Sequence, residues 1–180
     1  MIFITGGVRS GKSTFAEQLA VKKAKDIDGR LHYVATGVAS DEEMGKRIES
    51  HQKERAGSNW KTWEKSTHIE EIAPFFTKED VVLLDCVTTL LNNELFTQKE
   101  WDSSFLDEIF QRLIKGFEAV QSNCAHLILV SNEVLFDTNH NDLVMQYSCM
   151  LGKLHQDLVM KAEEAYLIEA GIPILMKGAK

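Results

Sequence analysis

The sequence predicts an α/β fold: a mostly parallel sheet flanked by helices, with a C-terminal antiparallel hairpin. Three observations predict it. Apolar β-type runs alternate along the chain with helical patterns, one of those runs is continuously apolar, and the last two strand-like runs stand too close together for a crossover helix. At 180 residues the chain is the size of one domain, taken here as a single unit over residues 1–180.

The strands come first in the argument. Ile2 to Thr5, Leu31 to Ala35, Val81 to Leu84 and His126 to Val130 are each bounded by polar or glycine-containing turns. Val81-Val82-Leu83-Leu84 has no polar alternation, the pattern of a strand covered on both faces. A helix is expected to begin near Lys12, and the polar stretch Lys22 to Arg30, with Gly29 inside it, reads as the connection to the second strand. Ser40 with Glu43, and Thr67 with Glu70, have capping-box spacing and predict two further helix starts. From Asp102 to Gln121 the residues Phe105, Ile109, Leu113, Phe117 and Val120 form one helical stripe, which is core-facing. Near the end, Ala165 to Ile168 and Ile172 to Met176 are joined around Gly171 as a hairpin. Pro173 cannot donate a ladder bond, so the last strand belongs at an edge.

Composition narrows the function. Twenty Lys and Arg against 27 Asp and Glu give a net charge of −7, so no general basic field gathers nucleic acid or anionic lipid. Any phosphate site must be local. Cys86, Cys124 and Cys149 lie far apart without a Cys-x-x-Cys, which is neither a zinc spacing nor a disulfide framework and suits reduced thiols. The start, Met1 to Ile4 followed by Thr5-Gly6-Gly7, lacks the pattern of a signal peptide, and no window approaches the ~20 apolar residues of a membrane span. A cytoplasmic protein with no membrane span and no nucleic-acid partner is expected.

The strongest motif is Gly6-Gly7-Val8-Arg9-Ser10-Gly11-Lys12-Ser13, which satisfies G-x-x-x-x-G-K-[ST] at a strand-to-helix junction. Glycines let the backbone curl so that its N–H groups face phosphate oxygens, and the following helix adds its positive end. Lys12 is expected to reach the β and γ phosphates and the Ser13 hydroxyl to join a Mg²⁺ shell. The fold expected is therefore P-loop NTPase-like. The run Val81 to Leu84 leads directly into Asp85, where a second, acidic ligand for the ion is expected; an aspartate capping the next turn is the alternative.

One histidine stands out. Met44, Ile48 and His51 fall at i, i+4 and i+7 of a helical pattern, a place where a lone histidine is ordinarily a packing or surface residue. Spacing alone leaves its role open.

Taken in order, the motifs resemble a known family, the bifunctional adenosylcobinamide kinase and adenosylcobinamide-phosphate guanylyltransferases of cobalamin biosynthesis. The resemblance rests on T-G-G-x-R-S-G-K-S at Thr5 to Ser13, Y-[IV]-A-T at Tyr33 to Thr36, D-[DE]-E-M at Asp41 to Met44 and R-I-x-x-H at Arg47 to His51. It continues through W-x-T-x-E at Trp60 to Glu64, an acidic strand end with C-[IV]-T-T at Asp85 to Thr89, and S-N-E-V at Ser131 to Val134. It implies two reactions: phosphorylation of adenosylcobinamide by ATP or GTP, then transfer of GMP from GTP to adenosylcobinamide phosphate. It also implies that His51 carries the GMP covalently, that Ala35, Thr36, Gln52, Lys53, Glu54 and Arg55 contact nucleotide, and that Glu64 reads guanine. A homotrimer and a corrinoid substrate are further implications.

After Val134 the chain departs from the family pattern. Leu135 to Asp142 replaces a glycine-containing loop with a proline, and from Leu143 to Leu158 Lys153 is the one lysine, with no arginine. Two other readings are a P-loop kinase of a different small alcohol, with His51 structural, and a non-catalytic GTP-binding protein. No N-K-x-D guanine-reading motif is present to favour the latter.

Overall fold

The structure is a computed structural model that describes residues 1–37, 59–133 and 142–179. Among these residues the elements run β1 (Ile2–Gly6), α1 (Lys12–Ile27), β2 (Arg30–Ala35), β3 (Trp60–Glu64), a 3-10 helix (Ile69–Phe75), β4 (Asp80–Asp85), α2 (Val87–Leu95), α3 (Ser103–Asn123), β5 (His126–Asn132), α4 (Asp142–Lys161), β6 (Glu164–Glu169) and β7 (Ile172–Lys177). The seven strands form one sheet in the order β3-β2-β4-β5-β1-β6-β7. Every neighbouring pair is parallel except β6 and β7, which are antiparallel.

The continuous apolar runs follow from this layering. In β4, Val81 and Leu83 face α1, whereas Val82 and Leu84 face a second cluster built with α2, α3 and α4. Strand residues alternate faces, so a strand covered on both sides has no polar face to show. All four side chains are essentially buried, and each contributes about 1.5–3 kcal/mol of apolar transfer. The fully buried apolar residues of α1 are small, Ala16, Ala20 and Ala24, which lets its backbone lie close to the sheet, with Phe15 and Leu19 packing at the margins. The stripe predicted from Asp102 is α3. The Asp102 carboxylate caps this helix by accepting from the Phe105 N–H at 2.8 Å.

Three expectations differ from what is found. The stretch after Lys22 is not a connection: α1 continues through it to Ile27, and Gly29 closes the helix by donating to the Ala24 carbonyl at 2.8 Å. No capping box forms at Thr67. The N-cap there is His68, at φ 51° and without a side-chain cap, and its N–H donates at 2.7 Å to the buried Glu94 carboxylate, itself held by Arg112. Third, Trp60 to Glu64 is a strand, although its sequence marks it only as a motif. The helix start expected at Ser40 and Glu43 lies outside the described residues.

The hairpin forms as expected, with β7 at the sheet edge and Ala170 (φ 49°) and Gly171 (φ 82°) in its turn. No helix among the described residues is long and apolar enough to cross a membrane.

Candidate active site

The motif residues gather at the carboxyl ends of the parallel strands, the edge where open α/β sheets take ligands. Between β1 and α1 the backbone turns through two left-handed positions, Arg9 at φ 60° and Gly11 at φ 91°. Ser10 N–H donates to the Gly7 carbonyl at 3.2 Å and closes the turn. A Cβ on Gly6 would stand 2.5 Å from the Ile168 carbonyl oxygen and 2.7 Å from the Ser10 Oγ, whereas one on Gly7 would meet nothing within 4 Å. The first glycine is thus required by packing and the second borders open space.

Lys12 is 8% exposed, and its ammonium donates to the Gly7 carbonyl at 3.1 Å, across the mouth of the turn. No side chain caps α1, so its leading amides remain available to an anion. The Ser10 hydroxyl is buried without a hydrogen-bond partner among the described residues, a polar atom aimed into the same turn. Curled amides, a buried ammonium and an unpaired hydroxyl fit a triphosphate. Val8, at the apex, is 68% exposed.

The far wall is β4. Asp85 is its last residue and lies two strands from β1, about 10 Å at the usual strand spacing. Its carboxylate is half-buried and accepts from the Tyr33 hydroxyl at 3.1 Å. It does not cap the next helix, whose N-cap is Cys86 with no side-chain cap bond. The Asp85–Cys86 peptide is cis. Burial pushes the Cys86 thiol above its ordinary value, Asp85 adds to that, and Lys12 opposes it, so the loop lysine and the end of β4 share one electrostatic field.

Strand register places Ala35 level with both Asp85 and Glu64, on neighbouring strands. Glu64 is exposed at the end of β3. Thr36 is fully buried and its hydroxyl is committed to structure, donating to the Cys86 carbonyl at 2.9 Å and accepting from the Cys86 N–H at 2.7 Å. It therefore holds the turn that carries Asp85. Ser13 lies in the first turn of α1, half-buried. His51, Gln52, Lys53, Glu54 and Arg55 lie outside the described residues.

Ser13 and Asp85 offer hydroxyl and carboxylate oxygens, the hard donors that suit Mg²⁺. No cluster of three or more His, Cys, Asp or Glu that could hold a metal occurs among the described residues.

The structure also joins two motifs to which the sequence assigned no role. Thr88 at the start of α2 and Ser131 near the end of β5 have hydroxyls 2.9 Å apart, and Ser131 reaches the Nε2 of His155 on α4 at 2.7 Å. Asn132 N–H donates to the Thr88 Oγ1 at 2.7 Å. The sequence signal for these was the polar pair Ser131-Asn132 closing an apolar strand; nothing local marks His155. A separate cavity of about 230 Å³, lined by Met1, Phe117, Leu158 and Glu163 among others, opens at the amino ends of β1 and β6, away from the loop.

Comparison with known proteins agrees with this arrangement. In fold, the chain is similar to the flagellar accessory protein FlaH from Methanocaldococcus jannaschii (TM-score 0.52, 15% identity, covering 98% of this chain and 77% of that one). It is similar also to the ATPase domain of a second solved protein (TM-score 0.51, 13% identity, 92% and 68%). In sequence, it is 34% identical to the bifunctional adenosylcobalamin biosynthesis protein CobU of Escherichia coli strain K12, over 98% of this chain and 99% of that protein. It is 33% identical to the corresponding protein CobP of Pseudomonas aeruginosa, over 97% and 96%. The profile described as cobinamide kinase / cobinamide phosphate guanyltransferase matches residues 2–176. With its phosphate loop, its sheet order and near full-length relatives all in agreement, the chain belongs to the cobinamide kinase / cobinamide phosphate guanyltransferase family.

Proposed function

We propose that this chain, acting as one nucleotide-binding domain, phosphorylates the aminopropanol hydroxyl of adenosylcobinamide and then transfers GMP from GTP to the resulting phosphate. The observation that carries the reading is the cradle of residues 6–13 facing Asp85 across β5, in a chain matched by this family over residues 2–176. Amides of Gly6 to Ser13 and the Lys12 ammonium bind the triphosphate and offset charge that moves toward the leaving group. Ser13 and Asp85 would hold Mg²⁺, which, when bound, neutralises phosphate charge and orients the transferring group. In the kinase step the substrate oxygen bonds to the γ-phosphorus of ATP or GTP, the bond to the β-phosphate oxygen breaks, and the hydroxyl proton is released.

In the second step a neutral His51 ring nitrogen attacks the α-phosphorus of GTP and pyrophosphate leaves. The corrinoid phosphate oxygen then attacks the same phosphorus and frees the histidine. Ala35 and residues 52–55 would line the nucleotide, with Thr36 holding the turn beside it, and Glu64 would accept from the guanine N1–H and N2–H. A cytoplasmic homotrimer completes the proposal, with sedimentation as its test.

The mechanism is tested with α-labelled GTP. After denaturation, protein-bound label that is acid-labile and alkali-stable, and absent from His51→Ala, is expected. An unlabelled protein that still phosphorylates cobinamide would remove the guanylyl step and leave a kinase.

A further inference from the structure

The strand between the phosphate loop and Asp85 is β5, and its end has no assigned task. Register pairs Asn132 with Gly6 on one side, while Asp85 pairs with Val130 on the other. Asn132 therefore stands level with the first glycine of the loop, beyond the metal carboxylate, at the mouth of the gap between them. Val130 packs in the cluster with α1. Strand parity gives Asn132 that same face, which is the side of the phosphate loop, and turns Ser131 to the opposite side.

We propose that Asn132 is a catalytic residue whose carboxamide contacts the transferring γ-phosphate, and that Thr88, Ser131 and His155 are the positioning residues that fix it. The inference rests on the triphosphate reading of residues 6–13.

Its backbone is pinned on both sides. Asn132 N–H donates to Thr88 Oγ1, and the next amide, Glu133 N–H, donates to the Gly6 carbonyl at 3.0 Å. Its side chain is only weakly engaged, with Nδ2 3.6 Å from the Cys86 sulfur. A carboxamide has two N–H donors and one acceptor, so donor capacity remains for a phosphate oxygen. An uncharged donor suits the place, because a carboxylate beside Asp85 would repel the triphosphate it serves.

Thr88 Oγ1 accepts from Asn132 N–H, and a chain in which Thr88 donates to Ser131 Oγ and Ser131 to an unprotonated His155 Nε2 satisfies all three groups. That order goes with a neutral imidazole. Burial acts in the same sense and pushes His155 down to about 4. Tyr147 adds a bond from its hydroxyl to the Thr88 carbonyl at 3.3 Å.

The test uses the full chain, with binding of a fluorescent GTP analogue and turnover with cobinamide measured side by side. Asn132→Ala is expected to lower phosphorylation kcat by about 10²-fold, the usual loss for one transition-state donor, with analogue affinity within about threefold. Asn132→Asp, which preserves size, is expected to fall at least as far. His155→Ala is expected to lower kcat by about tenfold at unchanged nucleotide KM, and His155→Gln, whose amide oxygen can accept from Ser131, to restore most of it. Turnover of Asn132→Ala and Asn132→Asp within about twofold of the unsubstituted chain would overturn the catalytic assignment. Equal kcat in His155→Ala and the unsubstituted chain would overturn the positioning role. If the unsubstituted chain bound no analogue, the triphosphate reading would fall, and this inference with it.

Discussion

Asp80 and Asp85 begin and end the same strand, β4, yet their surroundings are opposite. Asp80 is 1% exposed and accepts from Arg30 Nε at 2.7 Å and Nη2 at 3.2 Å, from Thr77 N–H at 2.7 Å and Oγ1 at 3.1 Å, and from His32 Nε2 at 3.0 Å. Trp63 Nε1 donates to His32 Nδ1 at 2.9 Å, so that nitrogen is the acceptor and Nε2 carries the proton given to Asp80. Burial pushes Asp80 up, but the bonds from Arg30 and Thr77 outweigh it and hold the carboxyl below its ordinary value. Among the described residues Asp85 accepts from Tyr33, and it faces the loop. A saturated carboxylate is structure; one with open lone pairs at the ligand edge is equipment for a reaction.

Substitutions separate the two carboxylates. The largest expected effect is at Asp85: Asp85→Asn should reduce phosphoryl transfer by about 10²–10³-fold while leaving the urea midpoint nearly unchanged. Asp80→Ala should do the reverse. It orphans Thr77 N–H and His32 Nε2 and should cost about 2–3 kcal/mol in urea unfolding, with turnover per folded molecule preserved. If Asp80→Ala lost activity without losing stability, the two roles would have to be exchanged.

Next in size is a pH effect. His155 is held near 4 in the folded chain against an ordinary 6.5, so the unfolded chain binds a proton first as pH falls. Its contribution is complete above about pH 6.5 and is lost progressively toward pH 4, amounting to roughly 2 kcal/mol for a partly buried group. His155→Gln should shrink the difference in unfolding free energy between pH 7.5 and pH 5. The smallest effect is at Trp63→Phe, which removes one N–H and should cost about 1 kcal/mol. Thermal melts would register it as a few degrees.

Much of this was legible in the sequence, for physical reasons that also explain the rest. Strands covered on both faces announce themselves as unbroken apolar runs, and the phosphate loop has a spacing that only a tight curl requires. Trp60 to Glu64 escapes recognition as a strand because it lies at the sheet edge with Lys61, Thr62 and Glu64 exposed, so it shows neither alternation nor a run. Thr67 and Glu70 have the right spacing for a cap, but a buried carboxylate on α2, Glu94, takes the His68 amide instead. His155 lies 24 residues from Ser131 and meets it only through tertiary packing. No local pattern could report that pair. The motif around Asp85 was readable, but the contrast with Asp80 was not, since saturation depends on Arg30 and His32 from another strand.

The turn of the last hairpin braces the phosphate loop from a distant part of the chain. Gly171 N–H donates at 2.8 Å to the Ser10 carbonyl, and a Cβ on Gly11 would lie 3.4 Å from the Gly171 Cα. β6, meanwhile, flanks β1. The phosphate motif is synthesised long before residue 171, yet it lacks this support until translation has passed that point. Nucleotide capture should therefore be a late event in the life of the nascent polypeptide.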